Sequence, residues 1–125
     1  MRTIVLIEDD SVTRLSIGAF LRAQNFHVLE ARDGAIGLQL TQEHRPDLVL
    51  CDINLPELDG YEVLQELRKD VMTEKTPFLF ISSECCCSNY RRARELGAND
   101  YLRKPVVNHK LLEAITIQLD KHISD

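Results

Sequence analysis

Three consecutive acids, Glu8, Asp9 and Asp10, follow the apolar run TIVLI, and a further acid, Asp52, follows DLVLC. Two more apolar stretches end in groups that can donate protons or carry charge. Ser82 and Ser83 follow PFLFI, and Lys104 and Pro105 follow DYLR. Gathered in one place, these acids repel: two unit charges about 4 Å apart cost on the order of 4 kcal/mol at an effective dielectric near 20. One lysine offsets part of that, and a hard divalent cation offsets the rest. Mg2+ fits, because it prefers oxygen ligands and binds through one or two carboxylates plus a phosphoryl oxygen. The set suits phosphoryl transfer, with Asp52 as the carboxylate nucleophile that becomes an acyl phosphate. Lys104 and the metal would neutralise charge on the phosphoryl oxygens.

Such chemistry requires the groups to meet, and the elements between them predict that they do. Thr3–Ile7, His27–Ala31, Asp47–Cys51, Pro77–Ile81 and Asp100–Arg103 read as strands from their apolar and β-branched runs. The runs are continuous rather than alternating, as in a parallel sheet covered on both faces. Helical spacing fills the gaps at 12–23, 34–44, 61–69 and 86–96, with a last helix capped by Asn108. Asp10 or Ser11 caps the first, and Gly97 stops the fourth. Strand and helix alternate five times, the pattern of a doubly wound α/β domain. In such a sheet ligands bind beyond the carboxyl ends of the strands. Glu8, Asp9, Asp52, Ser82 and Lys104 all lie there.

Each residue also has a plainer role. The acidic run complements a helix dipole, and Asp10 serves mainly as that cap. Ser82 could close a strand and Lys104 could be a solvated surface lysine. Their joint placement on the correct strand ends argues for a site.

The chain has 125 residues, 44% hydrophobic and 28% charged, with net charge −5. That is one globular domain, and the acidic balance argues against direct nucleic-acid binding, which needs a clustered basic surface. No stretch reaches the length of a membrane span and no leader precedes Thr3, so a cytoplasmic location is expected. Of four cysteines, Cys85, Cys86 and Cys87 are adjacent. Consecutive helical side chains diverge by about 100°, so these three do not converge on one metal and are read as small apolar filler at a helix start, a redox- or alkylation-sensitive site being the alternative.

The segments VLIEDDSVTR, PDLVLCDINLPELDGYEVL, FLFISSE and GANDYLRKP resemble the receiver domain of two-component response regulators, over essentially the whole chain. The separations match that family as well: 30 residues from Asp52 to Ser82 and 52 from Asp52 to Lys104. The resemblance implies a single receiver domain over 1–125, of flavodoxin-like (βα)5 fold with strand order 2-1-3-4-5. It implies Asp52 as phosphoacceptor, and Mg2+ held by Asp9, Asp52 and the Asn54 carbonyl. Glu8, standing where the family usually has aspartate, would act through a coordinated water. Ser82, in place of the commoner threonine, and Lys104 would contact the phosphoryl group, and the Lys104–Pro105 bond would be cis. Ser82 and Tyr101 would form the switch that alters the surface of the fourth helix, fifth strand and fifth helix. Asn54 and Glu84 would tune the lifetime of the phosphoryl state. The implied donor is a histidine kinase or phosphotransfer protein, and the implied target a downstream protein or attached effector domain. No separate enzymatic activity is expected beyond phosphoryl transfer to, and hydrolysis from, Asp52. A receiver excised from a larger hybrid kinase or effector-bearing regulator is the alternative form.

Other readings fit less well. An aspartate-nucleophile phosphatase needs a second acid two residues beyond the nucleophile, where this chain has Asn54. A nucleotide-binding module needs G-x-G-x-x-G or G-x-x-x-x-G-K-[ST] after Ile7. A receiver that only mediates contacts should have lost Asp52 or Lys104. The basic stretch YRRARE is expected to be a solvated helix face with Arg–Glu pairing, a docking patch being the alternative.

Overall fold

The computed structural model describes residues 1–83 and 87–124, and the side chains among them apart from those of residues 87 and 122–124. Five strands, β1 (Thr3–Ile7), β2 (His27–Ala31), β3 (Leu48–Asp52), β4 (Phe78–Ser82) and β5 (Asp100–Arg103), alternate with five helices. These are α1 (Ser11–Ala23), α2 (Gly34–His44), α3 (Gly60–Lys69), α4 (Cys87–Glu95) and α5 (Asn108–Ser124). All strand pairs are parallel and the order is β2-β1-β3-β4-β5, the flavodoxin-like receiver arrangement.

The period-2 alternation of each strand divides the core in two. Val5, Ile7, Val49, Cys51, Phe78 and Phe80 face residues such as Tyr61, Val63, Leu64, Leu67 and Ala93. Their sequence neighbours Ile4, Leu6, Leu48, Leu50, Leu79 and Ile81 face Ile17, Leu21, Leu111, Ala114, Ile115 and Leu119. So α1 and α5 cover one face while α2, α3 and α4 cover the other. Every residue of β3 and β4 is buried, which is why those strands read as unbroken apolar runs.

Two strands sit one residue later than their composition suggests. Asp47 precedes the β3 ladder and ties to β1, its N–H donating to the Thr3 carbonyl and its carboxylate accepting from Thr3 N at 2.7 Å. Pro77 has no N–H for a ladder and contributes only its carbonyl, to Val49 N. At the other end both strands run into their polar residues, with Asp52 pairing Ile81 and Ser82 pairing Arg103. α1 is capped by Asp10, whose carboxylate accepts from Thr13 N at 2.9 Å. α3 opens with a capping box between Asp59 and Glu62. α4 closes at Gly97, φ +102°, where Ala98 N donates to Ala93 O and Gly97 N to Arg94 O, a Schellman arrangement.

Two arginines of YRRARE take other partners than the expected glutamates. Arg92 lies 4.1 Å above the Tyr61 ring and Arg94 donates to the Asn99 carbonyl at 2.7 Å. No Arg–Glu pair forms within this stretch among the described residues. The Tyr61 ring face and the Asn99 carbonyl lie within reach of these two arginines, whereas an exposed i,i+4 pair adds only about 0.3–0.5 kcal/mol.

Candidate functional site

Register brings the polar strand ends together. Ile7 pairs Cys51, so Glu8 and Asp52 stand side by side one step further on. The ladder continues past its formal ends, with Glu8 N donating to Ala31 O and Lys104 N to Ser82 O. Lys104 thereby reaches Asp52 two strands away and Glu8 three strands away across the sheet.

Lys104 Nζ lies 2.8 Å from Asp52 Oδ2 and 2.5 Å from Glu8 Oε1. Asp52 Oδ1 accepts from Asn54 N at 3.3 Å, a long bond that turns the β3–α3 loop back over the carboxylate. Gly60 permits the close packing behind it. A Cβ there would fall 2.4 Å from the Asp52 carbonyl, and Gly60 N donates to Ile53 O at 2.7 Å. The sequence reading missed Gly60, although its place after the Asp59 cap was the available signal. Glu8, Asp9 and Asp52 each offer an oxygen, and these oxygens lie within 4.8 Å of one another. Glu8, Asp52 and Ser82 are buried, whereas Asp9 and Asn54 are exposed.

The charge balance is uneven. Burial pushes the Glu8 carboxyl up to about 7 from an ordinary 4.5. The Lys104 contact and the Asp10 N–H pull it down, and the charge of Asp52 adds to the rise. Burial also works to lower the Lys104 ammonium, but its bonds to Asp52 and Glu8 outweigh this and hold it above the ordinary lysine value. Glu8 Oε1 is buried without a directed hydrogen bond and faces Lys104 only as an ion pair. Three clustered carboxylates with a single ammonium, which contacts Glu8 and Asp52, are a donor set that fits a hard cation such as Mg2+.

The other expected positions are placed as follows. The Lys104–Pro105 peptide is cis. Tyr101 is half-buried, its ring centroid 6.3 Å from Phe80 and 6.0 Å from the more exposed Tyr90. Glu84, Cys85 and Cys86 lie outside the described residues, as does the side chain of Cys87. Among the described residues no helix is long and apolar enough to cross a membrane.

Comparison with known proteins agrees with this geometry. The cell cycle response regulator CtrA of Brucella ovis is 37% identical over 112 residues, covering 90% of this chain and 47% of that protein. The chain thus spans about half the length of the curated relatives it matches. A putative response regulator from Chloroflexus aurantiacus superposes with a TM-score of 0.91 at 29% identity, covering 95% of this chain and 98% of the other. The receiver domain of a sensor histidine kinase from Pseudomonas aeruginosa PAO1, solved with a magnesium ion coordinated in its active site cleft, superposes with a TM-score of 0.89 at 28% identity. It covers 95% of this chain and 98% of its own. The family model of the response regulator receiver domain matches residues 4–116, and with the strand order and the acidic rim already described, the chain belongs to that family of two-component signalling domains.

Proposed function

We propose that this domain is a phosphorylation-dependent switch that takes a phosphoryl group from a histidine kinase or phosphotransfer protein onto Asp52. The observation that carries this reading is the contact of Lys104 Nζ with both Asp52 and Glu8, at the rim where three carboxylates meet.

The Asp52 carboxylate attacks the phosphorus of a phosphohistidine. The P–N bond breaks, the imidazole leaves with the bonding pair and takes up a proton, and an acyl phosphate remains on Asp52. Lys104, already beside Oδ2, stays as the cation next to the phosphoryl oxygens, and the Ser82 hydroxyl donates to another of them. Glu8, Asp9, Asp52 and the Asn54 carbonyl are the groups that would hold Mg2+, whose charge offsets that of the phosphoryl oxygens. Attack of water on the acyl phosphate returns Asp52 and inorganic phosphate. Asn54, exposed beside Asp52, is a modest polar group that admits water, and Glu84 is given the same role by the family resemblance, so the phosphoryl state lasts seconds to minutes. The chain acts on its own Asp52 and on no released substrate.

Ser82 drawn toward the phosphoryl group vacates space, and the Tyr101 ring turns inward from its half-buried seat. The α4–β5–α5 surface changes accordingly for a downstream protein or an attached effector domain. The setting is cytoplasmic, without direct contact to nucleic acid or membrane. The same chemistry serves a receiver carried within a larger hybrid kinase or effector-bearing regulator. Both such forms occur among the similar proteins, CtrA being about twice the matched length and the Pseudomonas domain part of a sensor histidine kinase.

Acetyl phosphate with Mg2+ tests the assignment. One phosphoryl group labile to hydroxylamine is expected on the wild type and none on Asp52→Asn. Undiminished labelling of the variant, or label on a serine, overturns it.

A further inference from the structure

Arg14 stands outside the chemistry described so far, yet it contacts the backbone that carries two of the acids. Its NH1 donates to the Glu8 carbonyl at 2.7 Å and reaches the Asp9 carbonyl at 3.4 Å. Its Nε lies 3.5 Å from Glu30 Oε1, while Glu30 Oε2 pairs with Arg22 NH1 at 2.7 Å. Arg22 in turn donates through NH2 to the Val28 carbonyl at 3.0 Å. Glu30 thus sits between two guanidiniums on the edge strand β2, next to Gly18, where a Cβ would come within 3.0 Å of its Oε2. The Arg14 and Glu30 side chains are only 19% and 20% exposed, so the pair is screened less than a surface bridge.

The Glu8 carbonyl lies just past the end of β1, and Arg14 supplies its donor. A guanidinium that draws the carbonyls of residues 8 and 9 toward α1 fixes the peptide planes of the β1–α1 turn. Those planes decide where the Glu8 and Asp9 carboxylates point. Arg14 needs both ends of its fork, one for Glu30 and one for the carbonyls, which a lysine cannot match.

We propose that Arg14, braced by Glu30, is a positioning residue for the cation site: it holds the Glu8 and Asp9 carbonyls and so presets the two carboxylates for Mg2+. The proposal rests on the Mg2+-dependent switch described above. A turn ordered in advance has less freedom to lose when the ion binds, so Arg14 acts on metal affinity.

Calorimetric titration with Mg2+ tests this on the wild type, Arg14→Met, Arg14→Lys, Glu30→Gln and the double variant Arg14→Met/Glu30→Gln. A core control, Leu119→Ala, lowers the unfolding midpoint away from the turn. Arg14→Met is expected to weaken Mg2+ by about tenfold, the lower end of the range for groups that orient metal ligands. Arg14→Lys and Glu30→Gln weaken it by a few fold, and the double variant adds nothing to Arg14→Met. In metal-free protein, amide exchange at residues 9 and 10 speeds up in Arg14→Lys and Glu30→Gln, which remain readable should Arg14→Met not fold. Leu119→Ala leaves the Mg2+ constant unchanged. Constants within twofold of wild type for Arg14→Lys and Glu30→Gln, with unchanged exchange, overturn the proposal while the switch assignment stands. So does a Leu119→Ala variant that loses Mg2+ affinity as strongly. A wild type without Mg2+ affinity overturns both readings.

Discussion

At the N-terminal ends of β4 and β5 the half-buried Arg68 guanidinium makes five hydrogen bonds, to the carbonyls of Gly97, Thr73 and Thr76 and to Asn99 Oδ1. At the C-terminal ends of the sheet, Glu8 is fully buried and one of its oxygens has no directed donor. Both regions hold a charge partly or wholly out of water, but they treat it differently. Arg68 meets only neutral acceptors, arranged by the loops before β4 and β5, and its five N–H groups are all engaged. Its charge ties α3 to those loops and has no capacity left for a ligand. The Glu8–Asp9–Asp52 cluster has more negative groups than Lys104 can answer. A satisfied buried charge holds structure together, whereas an under-satisfied one at the strand ends is where a cation and a phosphoryl group can still gain binding energy.

The contrast breaks most easily at Arg68. Arg68→Met leaves several loop carbonyls without donors, which at about 1 kcal/mol each sums to roughly 2–3 kcal/mol of lost stability. For a domain of this size the thermal midpoint should fall by about 10 °C. The rise in midpoint on adding Mg2+ should be the same in variant and wild type. A variant that also lost its Mg2+ response would show that the two ends are coupled.

Asp9→Ala is expected to do the reverse. Removing one member of a repelling cluster leaves the metal-free protein as stable as before or slightly more so. The Mg2+-dependent rise, about 1.4 kcal/mol when the ion is tenfold above its dissociation constant, should largely vanish. Thermal melts with and without millimolar Mg2+ check this. An equal response in wild type and variant places the ion elsewhere.

A smaller effect concerns water. Asn54 is exposed beside Asp52, so solvent approaches this end of the sheet freely. Asn54→Arg should shield the phosphoryl group and lengthen its half-life by about threefold, less than 1 kcal/mol in barrier, without preventing phosphorylation. Decay of labelled protein measures it. A wild-type half-life of many hours with Mg2+ present contradicts the open site and leaves the family assignment in place.

Much of this was legible in the chain. β1, β2, β5 and α2 occupy the residues their patterns indicate, because uninterrupted apolar runs and cap residues bracket them. The one-residue shifts of β3 and β4 came from hydrogen bonding: the Asp47 carboxylate binds β1, and Pro77 cannot donate. The meeting of Glu8, Asp52 and Lys104 also follows from pattern, since strand ends in a parallel sheet share a rim. YRRARE shows where pattern stops, because composition could not say that Arg92 would choose the Tyr61 ring.

The alternation of strands and helices, and with it the identity of the acidic rim, was legible in the sequence alone, through continuous apolar runs, helical spacing and the punctuation of caps and turns, while the strand order 2-1-3-4-5 came from the family resemblance. What only the tertiary structure decided is how each charge is balanced. The burial that lifts Glu8, the hold of Arg14 on the turn after β1 and the five bonds of Arg68 each depend on how closely elements distant in the chain approach. Arg68 and Gly97 are 29 residues apart, and Lys104 and Asp52 are 52 apart. No local period encodes such distances, because they are set by the packing of helices on the sheet.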